Sequence, residues 1–158
     1  MLRLPRTEET KELIQLADNT GVFLPGEADE LLGGVLEKFH DGSLGDNHEV
    51  YVLENDTDKK ADGWTYFAPS DYAEGVWDVW WIGIDNSKQR TGLGSKFLAE
   101  IEEVVRERNG RIVIIETSSA PQLEKARTFY PKQGYKECGC IPDFYGPGDN
   151  KIIFAKTL

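Results

Sequence analysis

The chain has 158 residues and a net charge of −10, from 28 acidic side chains against 18 Lys and Arg. That length suits a single domain, residues 1–158, with a core of its own. The charge excludes the basic stripe that a nucleic-acid surface needs, and no apolar run is long enough to span a bilayer, so neither nucleic acid nor membrane is an expected partner.

Met1 to Lys11 is charged and lacks the apolar segment of a secretory signal, so a cytoplasmic location is expected. Leu2 to Pro5 reads as a short first strand. Thr7 reads as a helix N-cap, and Leu13, Ile14, Leu16 and Ala17 give the helix an apolar face that ends at Thr20-Gly21. Phe23, Leu24 and Pro25 form an apolar connection. Gly26 to Phe39 reads as a second helix, burying Leu31, Leu32, Val35, Leu36 and Phe39. Gly33-Gly34 in its middle costs about 1 kcal/mol per glycine against alanine, and marks either a kink or close packing.

His48 to Glu54 and Gly63 to Ala68 alternate as a hairpin around a charged turn. Val76 to Ile84 is a third long strand. Ile112 to Glu116 is a continuous apolar run, read as a buried strand parallel to it because a helix crosses between them. Pro121 to Tyr130 is a helix, Gly134 to Ile141 a strand, Pro142 to Asn150 a loop and Lys151 to Lys156 the last strand. Cys138 and Cys140 share one strand face and read as small apolar residues. Further ligands at zinc-site spacing are missing, so no metal is expected.

The stretch Gln89-Arg90-Thr91-Gly92-Leu93-Gly94 organises the chain. It lies between the strand at Val76 to Ile84 and a helix, Gly94 to Arg108, that carries Phe97, Leu98, Ile101, Val104 and Val105 at helical spacing. The first N–H groups of a helix have no intrahelical partner, and that end carries partial positive charge. Glycines there let an anion approach the backbone, so the stretch reads as a phosphate cradle. It lacks the Lys-Ser/Thr of a P-loop. It also lacks the third glycine of a dinucleotide fingerprint, whose place Phe97 holds.

This string resembles the acetyl-CoA pyrophosphate loop, Gln/Arg-x-x-Gly-x-Gly/Ala, of the GNAT superfamily of acetyltransferases. Ala126-Arg127-Thr128-Phe129-Tyr130-Pro131-Lys132-Gln133-Gly134-Tyr135 is similar to a second signature of that superfamily, Ala-x-x-Phe-Tyr-x-x-x-Gly-Phe/Tyr. The match covers Val76 to Leu158 well. The first half fits in the order of its elements only. One departure is Leu123, where relatives often carry an Asn that meets the pantetheine arm; Ser118 or Ser119 stands nearby as a substitute.

The resemblance implies an α/β (α+β) fold: a mixed central sheet, mostly antiparallel, with one splayed parallel pair and flanking helices. It implies acetyl-CoA as co-substrate, with pantetheine along the backbone of Ile82, Gly83 and Ile84. The pyrophosphate would lie on the amides of Arg90, Thr91, Gly92, Leu93, Gly94 and Ser95. Gln89 would brace the loop, and Arg90 would either meet a phosphate or stay solvated. Tyr130 matches the acid that protonates the departing thiolate, against a packing role alone. Asp78 lies eleven residues before Gln89, where a glutamate is the base in the histone-acetyltransferase branch. A structural Asp with a chain of waters as base is the alternative. Alternation puts Asp78 on one strand face with Trp80, Ile82 and Ile84.

Trp64, Tyr66 and Trp80 offer aromatic walls for an acceptor, some of them simply core. Phe23 on one side and Tyr145 in the loop before the last strand are placed to close over it. The expected activity is N-acetylation of a primary amine by direct attack, on a small molecule or a protein. A non-catalytic acyl-CoA-binding or interaction module of the same fold is the competing reading. Homodimers are frequent among such relatives, and the sequence does not decide the oligomeric state.

Overall fold

The computed structural model describes residues 1–24 and 26–158; Pro25, in the expected apolar connection, lies outside the described residues. The described elements are β1 Leu2–Arg3, α1 Thr10–Asn19, α2 Gly34–Asp41, β2 Glu49–Glu54, β3 Ala61–Pro69, β4 Val76–Ile84, α3 Leu93–Glu107, β5 Ile112–Ser118, α4 Glu124–Lys132, β6 Lys136–Gly146 and β7 Asp149–Thr157. The strands run in the order β1-β2-β3-β4-β5-β7-β6. This is the expected mixed sheet, mostly antiparallel with one parallel pair, β4 and β5. The chain forms two compact units, Met1–Ala68 with Trp81–Glu100 and Pro69–Trp80 with Ile101–Leu158. β4 and α3 run from one unit into the other.

In the first unit, the apolar spacing of α1 places Leu13 and Ala17 in a core with Leu36 of α2, Val50 and Val52 of β2, Trp64 of β3 and Trp81 of β4. Burying side chains of this size contributes roughly 1.5–3 kcal/mol each. The register Val50↔Tyr66 and Val52↔Trp64 keeps these residues on one sheet face. The indole N–H of Trp64 donates to the Leu13 carbonyl at 2.9 Å, so this fully buried side chain leaves no orphan donor.

The start of α1 differs from expectation. Thr7 to Glu9 form a 3-10 turn, and Glu9 rather than Thr7 closes it. The Glu9 carboxylate accepts the Arg6 N–H at 2.9 Å and the Arg3 guanidinium at 2.6 and 2.9 Å. A longer acidic side chain at the third position reaches back to the free amide, as in a capping box. The second helix is also not uniform. Asp29–Gly33 is a π turn, and the regular helix begins only at Gly34. A Cβ on Gly33 would stand 2.8 Å from the Asp29 carboxylate, so the paired glycines mark this widened turn.

In the second unit, β4 and β5 pair from Val76↔Ile112 to Val79↔Ile115. β5 continues against β7, through Glu116↔Ile153 to Ser118↔Lys151. One sheet face carries Val113 and Ile115 with Phe154 and Lys156 of β7. α4 packs on this face through Tyr130, whose ring lies 5.6 Å from that of Phe154. Gly110 is required where α3 hands over to β5, since a Cβ there would meet Trp77 at 2.8 Å and Val105 at 2.2 Å.

The end of the chain corrects two expectations. β6 does not stop at Ile141 but runs to Gly146, so Phe144 and Tyr145 are strand residues and the turn is short. Pro142 and Asp143 read as loop formers, yet β6 is the last strand of the sheet, where a missing N–H is tolerated. Register irregularities at Glu137/Gly139 and Ile141/Gly146 absorb the misfit. Cys138 and Cys140 lie on this edge strand as exposed free thiols rather than apolar filling.

Candidate active site

The first unit carries the glycine loop. Its approach is fixed by Asp85, whose carboxylate accepts the Ser87 N–H at 2.8 Å and the Ser87 hydroxyl at 2.5 Å, making a 3-10 turn over Asn86–Lys88. The Gln89 amide donates to the Asn86 side chain at 2.5 Å, and the Thr91 hydroxyl donates to the Lys88 carbonyl at 2.7 Å. Gln89 is thus bonded to the turn that precedes the loop. Gly92 takes φ +83 with open space where a Cβ would stand.

Arg90 also adopts a left-handed backbone, φ +63, which the sequence did not indicate. Left-handed residues on either side of Thr91 form the kind of turn that makes a nest for an anion. Lys96 N–H donates back to the Gly92 carbonyl at 3.2 Å, so the amides ahead of it belong to the open first turn of α3. The loop from Arg90 to Gly92 is exposed, and Leu93, Gly94 and Ser95 are half-buried. The residues present fit a diphosphate.

Upstream of the loop, β4 alternates as expected. Asp78, Trp80, Ile82 and Ile84 are its less buried residues, while Trp77, Val79, Trp81 and Gly83 are buried. Gly83 is fixed by its neighbour, because a Cβ there would stand 2.3 Å from the Trp81 ring. Trp64 corrects an expectation. It is fully buried and bonded to Leu13, so it is core and presents no wall to an acceptor. Tyr66 is half-buried; its hydroxyl lies 2.8 Å from His48 Nδ1, and burial pushes its pKa up. Phe23 packs on Trp81 with ring centroids 5.2 Å apart.

The second unit carries the titratable candidates. Tyr130, in α4, is 7% exposed, and burial pushes its phenol pKa up to about 12. Its ring meets Phe129, Tyr135 and Phe154 at 5.6, 6.0 and 5.6 Å. Its carbonyl accepts the Gln133 and Tyr135 N–H groups at 2.9 and 3.1 Å, which pins the end of the helix despite Pro131. Asp78 stands opposite Ile114 and is half-buried. Burial, and then the negative charge of Glu116, push its carboxyl pKa above the ordinary aspartate value. Trp80 is 68% exposed.

Ser118 and Ser119 are both engaged in holding β5, β7 and α4 together. The Ser118 hydroxyl bonds the Asp149 carboxylate and accepts the Ala120 N–H, retaining one acceptor lone pair. Ser119 Oγ accepts the Asn150 N–H at 2.8 Å. Sequence reasoning missed Arg127, whose guanidinium donates to the Ser118 and Ala120 carbonyls at 2.7 and 2.8 Å. It also missed Glu116 and Lys151, joined at 2.5 Å. Tyr145 lies beside this pair on the extended β6, half exposed.

Among the described residues, no group of His, Cys, Asp and Glu is placed to hold a metal ion. No described helix is long and apolar enough to cross a membrane.

Comparison with known proteins agrees with this geometry. No curated protein matches the sequence. Among solved structures, a protein from Desulfovibrio desulfuricans assigned to the GNAT acetyltransferase family superposes with a TM-score of 0.89 at 26% identity, covering 99% of this chain and 98% of that one. An aminoglycoside 6′-N-acetyltransferase complexed with coenzyme A gives 0.75 at 16% identity, covering 99% and 96%. A ribosomal-protein-alanine N-acetyltransferase from Brucella melitensis gives 0.74 at 17% identity, covering 100% and 99%. The model of the acetyltransferase (GNAT) domain matches residues 46–137, more than half of the sequence, and the chain therefore belongs to the GNAT family of acetyltransferases.

Proposed function

We propose that this chain transfers the acetyl group of acetyl-CoA to a primary amine. The observation that carries the reading is the braced loop at the start of α3, where Arg90 and Gly92 turn left-handed. Arg90 to Ser95 would hold the pyrophosphate with main-chain amides, and the backbone of Ile82 to Ile84 would meet the pantetheine. When bound, acetyl-CoA supplies an activated acyl group as a thioester.

An alkylamine has a pKa near ~10.4 and reaches the enzyme mostly protonated. Asp78 takes that proton, a task for which burial and Glu116 raise its basicity. A nitrogen–carbon bond then forms as the carbon–sulfur bond breaks, and Tyr130 delivers its phenolic proton to the departing sulfur. The burial that keeps the Tyr130 proton in place also disfavours a thiolate beside it, so both ends of this transfer shift the same way. The nitrogen sheds a second proton as the adduct collapses to the amide. Asp78 then returns its proton to solvent and Tyr130 is reprotonated, so that of the two protons lost by the ammonium one is balanced by the new thiol and one is released per turnover.

Two structural neighbours are N-acetyltransferases of an aminoglycoside and of a ribosomal-protein alanine. A test panel therefore includes an aminoglycoside, an alanine-ended peptide and simple alkylamines. Thiol release from acetyl-CoA with at least one of them is the expected result. Tight coenzyme A binding by calorimetry with no turnover across the panel would overturn the catalytic reading. The exposed, unpaired Cys138 and Cys140 suit a reducing compartment, and the reading includes a cytoplasmic location.

A further inference from the structure

The second unit holds a group of side chains that neither the glycine loop nor Tyr130 uses. Glu116 on β5 and Lys151 on β7 share a sheet face, since Lys151 stands opposite Ser118, two residues on from Glu116. Asp78 is on the same face, opposite Ile114, two residues before Glu116. The Lys151 ammonium lies 2.5 Å from the Glu116 carboxylate and 3.8 Å from the centroid of the Phe144 ring. The Tyr145 ring is 6.0 Å away and meets Phe144 edge to face at 4.9 Å.

An ammonium over an aromatic face, with a carboxylate at hydrogen-bond distance, is a favourable arrangement for a primary amine. The chain fills this nest with its own lysine. The Lys151 side chain is 14% exposed, whereas Glu116 is 45% exposed. The charge of Glu116 reaches both Asp78 and Tyr145, so the nest and the base candidate belong to one electrostatic group.

We propose that Lys151 sets the charge count of the acceptor. By occupying the Glu116–Phe144 nest it leaves Asp78 to meet the reacting amine, repels a second ammonium, and makes the enzyme selective for monoamines over alkyl diamines. This rests on the reading of Asp78 as the acceptor-side base. Without the Lys151 charge, Glu116 and the Phe144 ring become a vacant seat for the far ammonium of a diamine.

The test compares putrescine, an alkyl diamine, with butylamine, the monoamine of the same length. Lys151→Met keeps an unbranched apolar stem, one atom shorter, and removes the charge over the Phe144 ring. Its putrescine-to-butylamine ratio of kcat/KM is expected to rise about tenfold, the combined effect of an exposed ion pair and a cation–π contact. Lys151→Arg keeps the wild-type ratio, and Glu116→Gln added to Lys151→Met abolishes the gain. Should the methionine variant not fold, Lys151→Gln asks the same question. A ratio unchanged in the uncharged variants, or a gain that survives Glu116→Gln, overturns the proposal. Calorimetric titration of both amines without acyl donor reads the same preference independently of turnover. If no amine is acetylated, the proposed activity falls while the titration still decides the role of Lys151. If acetylation proceeds and the preference does not move, the role of Lys151 falls alone.

Discussion

Glu102 of α3 and Lys156 of β7 are joined by two bonds of 2.7 and 2.9 Å, with the carboxylate almost fully buried. The same ammonium lies 5.5 Å from the centroid of the Tyr135 ring, which in turn packs on Tyr130. Burial, and then the Glu102 charge, push the Tyr135 hydroxyl pKa far up. One ion pair thus ties α3, the last strand and the aromatic cluster around Tyr130.

Removing one partner of such a pair leaves the other poorly compensated. Breaking a buried pair typically costs 3–5 kcal/mol, and because Lys156 keeps partial access to solvent we expect Glu102→Ala to cost about 2–3 kcal/mol. Urea unfolding checks this, with the midpoint falling and the slope unchanged. A loss below about 0.5 kcal/mol, the level of an ordinary surface substitution, would show that the pair holds nothing together.

Gly92 is a second point where the backbone has no substitute. At φ +83 an L-residue is strained even though the space for a Cβ is open. Gly92→Ala should cost roughly 1 kcal/mol in the loop conformation. If the loop grips the diphosphate, that strain appears as weaker coenzyme A binding by about fivefold. Calorimetric titration of coenzyme A measures it, with Gly42→Ala, also at positive φ but at the end of α2, as the control that leaves affinity unchanged.

The elements that carry the candidate donor site were legible because their signals are local. Val76 to Ile84 matches β4 at both ends, and the glycine loop and α3 follow where spacing placed them. What was missed depends on neighbours distant in sequence. The reach of β6 past Pro142 depends on its being the edge strand. The Glu116–Lys151 pair needs the register between β5 and β7, 35 residues apart in the chain. The burial of Trp64 depends on α1 covering that face, and nothing in its own strand separates it from the half-buried Tyr66.

Asp78 makes a pH prediction. A carboxylate acting as base must be ionised, so activity falls as pH drops through its pKa. Burial and the Glu116 charge raise that pKa, which puts the acid limb of kcat/KM above the pH at which a solvated aspartate titrates. Glu116→Gln removes one negative charge and leaves the Lys151 ammonium uncompensated, and both changes favour ionised Asp78. The acid limb should therefore move to lower pH. A limb that stays in place would assign it to another group, and a loss of activity in Asp78→Asn without any remaining limb would tie it to Asp78.

Tyr130 can be probed with little structural damage. Phenylalanine keeps the ring that packs on Tyr135 and Phe154 and removes only the hydroxyl. If that hydroxyl protonates the leaving sulfur, Tyr130→Phe should lower kcat by about 10²–10⁴, the range for loss of a positioned acid or base. Coenzyme A affinity should be unchanged, since the loop at the start of α3 is untouched. Stability should change little, because the ring contacts remain. A slower donor side also changes how the rate depends on the leaving group: acyl thioesters of more acidic thiols need less protonation and should recover part of the lost rate in the variant. Thiol release measured with acetyl-CoA and with a thioester of a more acidic thiol separates the outcomes. Equal losses on both donors would mean that the hydroxyl supports the site without supplying the proton, and full activity on acetyl-CoA would leave Tyr130 as a packing residue only.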